Sequence, residues 1–224
     1  MSVAENLDEI KCRISSACER VGRKNDVELI AVSKTWPADH VQLAVDAGQR
    51  VFGENKLQEG QQKIPMMSPD LEWHYIGGLQ KNKVRKVLGL FQVVHSIDSL
   101  KLAKYANNVA ADMGIKPKVL LQVNIGEEQT KGGFQVKQLV EIFAELLDCK
   151  NLSVIGLMCI PPAVDEPEQA RQWFAKVRRL RDELEQSFDV VLPHLSMGMS
   201  GDFEVAIEEG ATFVRVGTSI FGSR

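Results

Sequence analysis

Aromatic residues make up only 6% of this 224-residue sequence, and it holds just two tyrosines and four histidines. Trp73, Trp173 and Phe174 fall at packing positions, so no aromatic platform for stacking bases stands out. A formal net charge of -3 gives no electrostatic reason to expect nucleic acid or an anionic membrane as a partner. No apolar run approaches the ~20 residues that cross a bilayer, and the amino terminus lacks the apolar core of a secretion signal. Cysteine is scarce as well: Cys12, Cys18, Cys149 and Cys159 form no C-x-x-C pair and have no histidine at ligand spacing. Free thiols in a reducing cytoplasm are the simplest account. His40, His74, His95 and His194 are scattered, which argues against a metal centre. Linker-like and low-complexity stretches are missing too, so residues 1–224 are expected to form one domain.

What is present is an alternation. Ser2-Val-Ala-Glu5 has the form of a capping box, and Val3, Leu7, Ile10, Ile14, Ala17 and Val21 follow at spacings of three and four. That predicts a leading amphipathic helix. Apolar, strand-like runs then recur at 27–32, 50–52, 72–76, 91–95, 118–125, 153–160, 192–196 and 212–216. Between them lie helix-period segments at 38–47, 54–63, 80–88, 100–113, 136–147, 166–188 and 201–209, with Gly48 and Gly210 suited to C′ positions. Eight such units, whose apolar strands need both faces covered, predict a closed (β/α)₈ barrel. The competing doubly wound sheet lacks its G-x-G-x-x-G after the first strand.

Three stretches carry chemistry. The run Leu29-Ile-Ala-Val-Ser-Lys-Thr-Trp-Pro37 reads as a buried strand that breaks into a loop with Lys34 at its carboxyl end, where barrel ligands gather. Held against apolar walls, its amine would be nucleophilic and suited to capturing an aldehyde; a lysine leaving the rim for solvent is the alternative. The second stretch, His194-Leu-Ser-Met-Gly-Met-Ser-Gly-Asp202, passes through small and hydroxyl residues toward a helix that Asp202 is placed to cap. In the third, Val214–Gly222, the last strand gives way to Gly217 and Thr218. Loops after strands seven and eight of a barrel often hold a phosphate. A lysine for an aldehyde beside a pocket for a phosphate suggests pyridoxal 5′-phosphate. Arg215, among apolar neighbours, would then face the pyridine nitrogen and keep it unprotonated.

The combination AVSK at Lys34, FGEN at 52–55, WHYIG-x-LQ-x-NK at 73–83, HSID at 95–98, GLM-x-IP at 156–161, LSMGMS at 195–200 and VRVGTSIFG at 214–222 resembles the pyridoxal phosphate homeostasis protein family, over essentially the entire chain. The resemblance implies a cytoplasmic, monomeric barrel like the N-terminal domain of alanine racemase, with the cofactor bound as an internal aldimine on Lys34. It further implies Ser196, Ser200, Gly217 and Thr218 around the phosphate, Arg215 at the pyridine nitrogen, and Asn55 and Met158 beside the ring. The implied role is keeping free cofactor low and delivering it to apo-enzymes. Two departures stand out: Lys56 where the family usually has tyrosine after FGEN, and Gly78 where relatives often carry a bulkier residue.

A cofactor-dependent amino-acid racemase is the alternative. Such catalysis needs acid/base groups on both faces of the substrate. The sequence stops at Arg224, so the further domain that supplies the second group in alanine racemase is expected to be missing. Tyr105 belongs to an outer helix, and of His74 and Tyr75 one must point into the barrel. The basic run Lys81, Lys83, Arg85 and Lys86 reads as a solvated helix face. Lys131, in a loop after strand five, resembles a family position near the barrel mouth, which implies a further amine that could accept the cofactor during transfer; a loop lysine facing water is the alternative.

Overall fold

The computed structural model describes residues 2–128 and 130–222; the terminal Arg224 lies outside them. Eight parallel strands close into a barrel in chain order: β1 (Glu28–Val32), β2 (Val51–Glu54), β3 (Glu72–Tyr75), β4 (Val93–Ile97), β5 (Lys118–Val123), β6 (Ser153–Cys159), β7 (His194–Met199) and β8 (Phe213–Val216). β8 pairs back onto β1, with Ile30 opposite Arg215 and Ala31 opposite Val216. That register brings the chain past Val32 and the chain past Val216 out of the barrel side by side, joining the first and third chemical stretches.

Among the described residues the helices are α1 (Val3–Arg20), α2 (Ala38–Asp46), α3 (Leu57–Lys63), α4 (Val84–Leu88), α5 (Leu100–Met113), α6 (Val136–Leu147), α7 (Arg171–Phe188), α8 (Phe203–Glu208) and α9 (Thr218–Phe221). None is long and apolar enough to cross a membrane. The capping box of α1 forms as predicted, Ser2 Oγ accepting from Glu5 N–H and Glu5 from Ser2 N–H. Leu7, Ile10, Ile14 and Ala17 are buried, whereas Val21 lies just past the helix and is exposed. α1 therefore straps the outside of the barrel against α8 and α9, with Asn6 Nδ2 donating to Ile220 O at 2.8 Å and Arg13 pairing with Glu204 at 3.0 Å. That ion pair is partly solvated and contributes at most about 1 kcal/mol; the apolar seam does most of the holding. Gly48 and Gly210 follow their helices at φ 87° and 97°, as C′ residues should.

Several predicted boundaries shift. The segment predicted to start a helix at Glu54 instead keeps Glu54 in β2 and begins α3 at Leu57. Glu54 is fully buried with partners of its own. β4 and β7 run further toward the barrel mouth than their apolar stretches, to Ile97 and Met199.

The core has two shells. The larger packs strands against helices; the smaller fills the barrel with Ile30, Val51, Val93, Leu120, Met158 and Phe213. At the amino-terminal end, the first residues of the alternate strands β1, β3, β5 and β7 are Glu28, Glu72, Lys118 and His194, a charged layer of the kind alternate barrel strands contribute.

Candidate functional site

The turn that carries Lys34 is braced from three sides. Ser33 Oγ donates to Glu54 Oε1 at 2.7 Å, Lys63 Nζ donates to Ser33 O at 2.8 Å, and Lys63 also pairs with Glu54 directly. Burial pushes the Glu54 carboxyl above the ordinary carboxylate range, against the pull of Lys63 and Ser33. Glu59 accepts from Thr35 N–H at 2.6 Å, and Thr35 itself takes φ 70°, a left-handed conformation unusual for a β-branched residue. Trp36 stacks on His40 at 4.2 Å just beyond.

Lys34, by contrast, is exposed, and among the described residues its amine has no partner. This corrects the expectation of an amine against apolar walls. β1 ends at Val32, so residue 34 lies past the strand, in the turn that Thr35 completes with its left-handed backbone.

Across the β1/β8 seam lie Gly217 and Thr218. A Cβ at Gly217 would approach Val32 O to 3.2 Å, so glycine is what lets the end of β8 run this close to β1. Gly217 N–H donates to Ser200 Oγ at 3.4 Å. The first N–H groups of α9, at Thr218 and Ser219, have no acceptor within their own helix. The loop after β7 is shaped by Gly198 at φ 91°, whose Cβ would lie 2.6 Å from Ala206 Cβ. Asp202 occupies the N-cap position of α8 but makes no cap bond there; it accepts from Met199 N–H at 2.7 Å and so closes the loop backwards. Ser200, Gly217 and Thr218 thus gather beside the Lys34 turn.

Ser196 does not join them. It is fully buried and accepts from Arg215 Nη1 at 2.6 Å, with His95 Nδ1 at 2.8 Å on its other side. His95 Nε2 meets His74 Nδ1 at 2.9 Å, and His74 Nε2 meets Glu72 Oε1 at 3.1 Å. Arg215 is nearly sealed from solvent and also donates to Cys159 O at 2.9 Å. Burial lowers the pKa of its guanidinium, while Cys159 and Asp202 pull the other way. Met158 lies in the inner apolar cluster, on the strand between β5 and β7, opposite Ser196 in register.

Asn55, directly after β2, is half-buried, and its Oδ1 is buried without a hydrogen-bond partner among the described residues. Gly77 runs against it: a Cβ there would fall 2.0 Å from Asn55 O, whereas Gly78 has open space. Lys56 turns outward and pairs with Glu59 at 3.2 Å. Lys131 reaches Pro161 O at 3.2 Å, on the edge of a cavity of about 400 Å³ among the loops after β5, β6 and β7. Tyr75 points out of the barrel, with its hydroxyl donating to Gly78 O at 3.1 Å, and Tyr105 lies under Lys81 on an outer helix.

Reading the sequence missed two groups, the Glu54–Lys63–Ser33 brace and the chain from Glu72 to Arg215. Strand parity was the available signal: Glu72 and His74 share one face of β3, and Val93 and His95 one face of β4.

Comparison with known proteins places this arrangement. The family described as alanine racemase, N-terminal domain, matches residues 6–224. A pyridoxal phosphate homeostasis protein of Aquifex aeolicus is 47% identical over 226 residues, covering 100% of this chain and 99% of that protein. One from Escherichia coli K12 is 42% identical over 230 residues, covering 99% and 97%. The structure of PipY from Synechococcus elongatus PCC7942, with PLP bound, superposes with a TM-score of 0.87 at 37% identity, over 99% of this chain and 100% of that one. An alanine racemase of Clostridium difficile 630 shares the barrel at 18% identity and a TM-score of 0.75, over 57% of its own length. With full-length relatives at this level of identity, this chain belongs to the pyridoxal phosphate homeostasis proteins, within the alanine racemase N-terminal-domain family.

Proposed function

We propose that this chain, residues 1–224 acting as one domain, binds pyridoxal 5′-phosphate at the carboxyl end of its barrel and holds it reversibly, buffering the free cofactor and delivering it to apo-enzymes in the cytoplasm. The observation that carries the reading is the seam between β1 and β8. There the free amine of Lys34 stands beside Ser200, Gly217 and Thr218, with Arg215 buried beneath. The names of the full-length relatives and the cofactor in PipY support it.

The residues fit such a group. Among the described residues the buried Oδ1 of Asn55, directly after β2, has no partner, an acceptor left open at the carboxyl end of the barrel. The glycine at 217 leaves room where a side chain would crowd Val32. When bound, the cofactor supplies an aldehyde that a free amine captures reversibly with loss of water, and a phosphate dianion. The chain's own residues do the rest. The brace of Ser33, Glu54 and Lys63 fixes the turn, so that Lys34 is presented from one place with its side chain exposed. Ser200, Gly217 and Thr218 supply a hydroxyl-and-amide cradle for the phosphate, Met158 an apolar floor, and Arg215 a donor that keeps its proton and so demands none from the ring nitrogen.

Turnover is not part of the proposal. Tyr75 is engaged with Gly78, and burial raises its hydroxyl pKa; Tyr105 is outside the barrel. Neither is set to move a proton on the face opposite Lys34. The expected state is a monomer.

The test is the visible spectrum of the protein mixed with pyridoxal phosphate, wild type against Lys34→Ala, before and after borohydride. The expected result is a band in wild type that borohydride bleaches, leaving a reduced adduct on the Lys34 peptide, and no band in the variant. Because Lys34 is exposed, the variant should unfold within about 0.5 kcal/mol of wild type. A wild type that stays colourless overturns the proposal. Loss of α-deuterium from L-alanine at rates above free cofactor would favour the racemase instead.

A further inference from the structure

The buried chain beneath Arg215 has a direction that follows from its members. A guanidinium only donates, so Ser196 Oγ must accept from Arg215 and pass its own proton elsewhere. His95 Nδ1, at 2.8 Å, is the partner in line, and it accepts only if the ring is neutral with its proton on Nε2. Burial first, with the positive charge of Arg215 acting the same way, holds the His95 pKa well below that of an ordinary imidazole, so neutrality is the stable state. Its Nε2 proton then points at His74 Nδ1, which obliges His74 to carry its own proton on Nε2 and donate it to Glu72. That bond, in turn, is the main reason the Glu72 carboxyl sits below its usual range and stays anionic. Four bonds therefore run one way, from a cation near the mouth of the barrel to an anion at its opposite end.

Among the described residues Arg215 bonds directly only to neutral oxygens, Ser196 Oγ and Cys159 O. The Asp202 carboxylate is occupied by Met199 N–H. Hydrogen bonds in series polarise one another in a low-dielectric interior, so the anion at Glu72 makes each group above it a better acceptor, and Ser196 Oγ holds the guanidinium more firmly. The ring of Phe213 walls the path, 5.4 Å from His74 and 5.7 Å from His95. Around Glu72, the charged groups facing it are Glu28 on β1, Lys118 on β5 and His194 on β7.

We propose that Glu72, His74, His95 and Ser196 form a positioning relay that orients Arg215 at the cofactor site, with Glu72 its anchor at the amino-terminal end of the barrel. The proposal rests on reading the site as a pyridoxal phosphate pocket. Glu72 touches nothing in that pocket, yet its removal should be felt there.

The experiment uses ¹⁵N-histidine NMR of the cofactor-free protein together with titration by pyridoxal phosphate, for wild type, Glu72→Ala and Glu72→Gln. In wild type, His74 and His95 should both be neutral with the proton on Nε2. Glu72→Ala should mix the tautomers of both rings and weaken cofactor affinity about tenfold, the scale usual for losing an outer hydrogen-bond partner of a ligand-holding group. Glu72→Gln keeps an acceptor without the charge, so it should restore the tautomers and only part of the affinity. The Glu72 side chain is 40% exposed, so both variants should fold. Nδ1-protonated rings in wild type overturn the relay, as do unchanged tautomers and affinity in Glu72→Ala beside a wild type that forms the visible band. A wild type that forms no band instead overturns the reading of the site, and the relay's role in it.

Discussion

Lys63→Met tests whether the brace under Lys34 is held by charge. Glu54 is fully buried and Lys63 is 6% exposed, and Met fills a similar volume without the ammonium. Left alone, the Glu54 carboxyl cannot stay ionised cheaply; removing one partner of a buried pair typically costs about 3–5 kcal/mol. It can escape by taking a proton, and that route sets a pH-dependent ceiling. An unfolded glutamate titrates near 4.5. Keeping it protonated in the folded state costs about 1.4 kcal/mol for each pH unit above that, hence about 4 kcal/mol at pH 7.5 and under about 1 kcal/mol at pH 5. The sign follows from linkage. A carboxyl whose folded pKa is raised binds its proton more tightly when folded, so its contribution is most favourable below the unfolded value and is lost as pH rises toward the folded one. Wild type already carries part of this raise, which makes the difference between the proteins somewhat smaller than the ceiling. Urea unfolding of both proteins at pH 5 and pH 7.5 reads it directly. A loss below about 1 kcal/mol at pH 7.5, or the same loss at both pH values, would refute the reasoning. Adding Glu54→Gln to the variant should flatten its pH dependence.

Other expectations are cheaper to check. Gly77→Ala puts a Cβ 2.0 Å from Asn55 O, so the loops after β2 and β3 must part; a loss of about 1–3 kcal/mol in urea is expected. Gly78→Ala, with nothing within 4 Å, should stay within about 0.5 kcal/mol, and equal losses at the two positions would contradict the packing described. Of the four cysteines only Cys12 is exposed, and burial pushes the Cys159 thiol up to about 12. A disulfide reagent should therefore label one thiol rapidly in the native protein, Cys159 reacting only on unfolding; prompt labelling of Cys159 would mean that the end of β6 opens.

The barrel was legible because buried parallel strands must be apolar, and eight such runs alternate with helix-period segments. Lys34, Arg215 and Gly217 stood out because each breaks an apolar run at its carboxyl end. What stayed hidden shares one cause. Glu54, His74 and His95 lie in or beside apolar runs that read as ordinary strand, and apart from Glu72, the near neighbour of His74, the partners that join them are 9 to 101 residues away in the chain. Only the register, such as His74 opposite Val93, brings them together. Ser196 and Ser200 look equivalent in LSMGMS, yet the first faces the barrel interior and the second lies beyond the end of β7. No pattern short of the pairing separates them.

The two hidden groups have a common logic. Burying Glu54 with Lys63, and Arg215 with two histidines, costs desolvation that apolar residues of the same volume would avoid. Such groups are poor sources of stability, and both are placed where orientation matters: one fixes the backbone under Lys34, the other the guanidinium across the seam. Among the described residues the amine of Lys34 has no partner and is exposed, so the polar bonding lies in the frame around it: the brace sets where the backbone at residue 34 leaves β1, and the bonds of Arg215 set the guanidinium on the neighbouring strand.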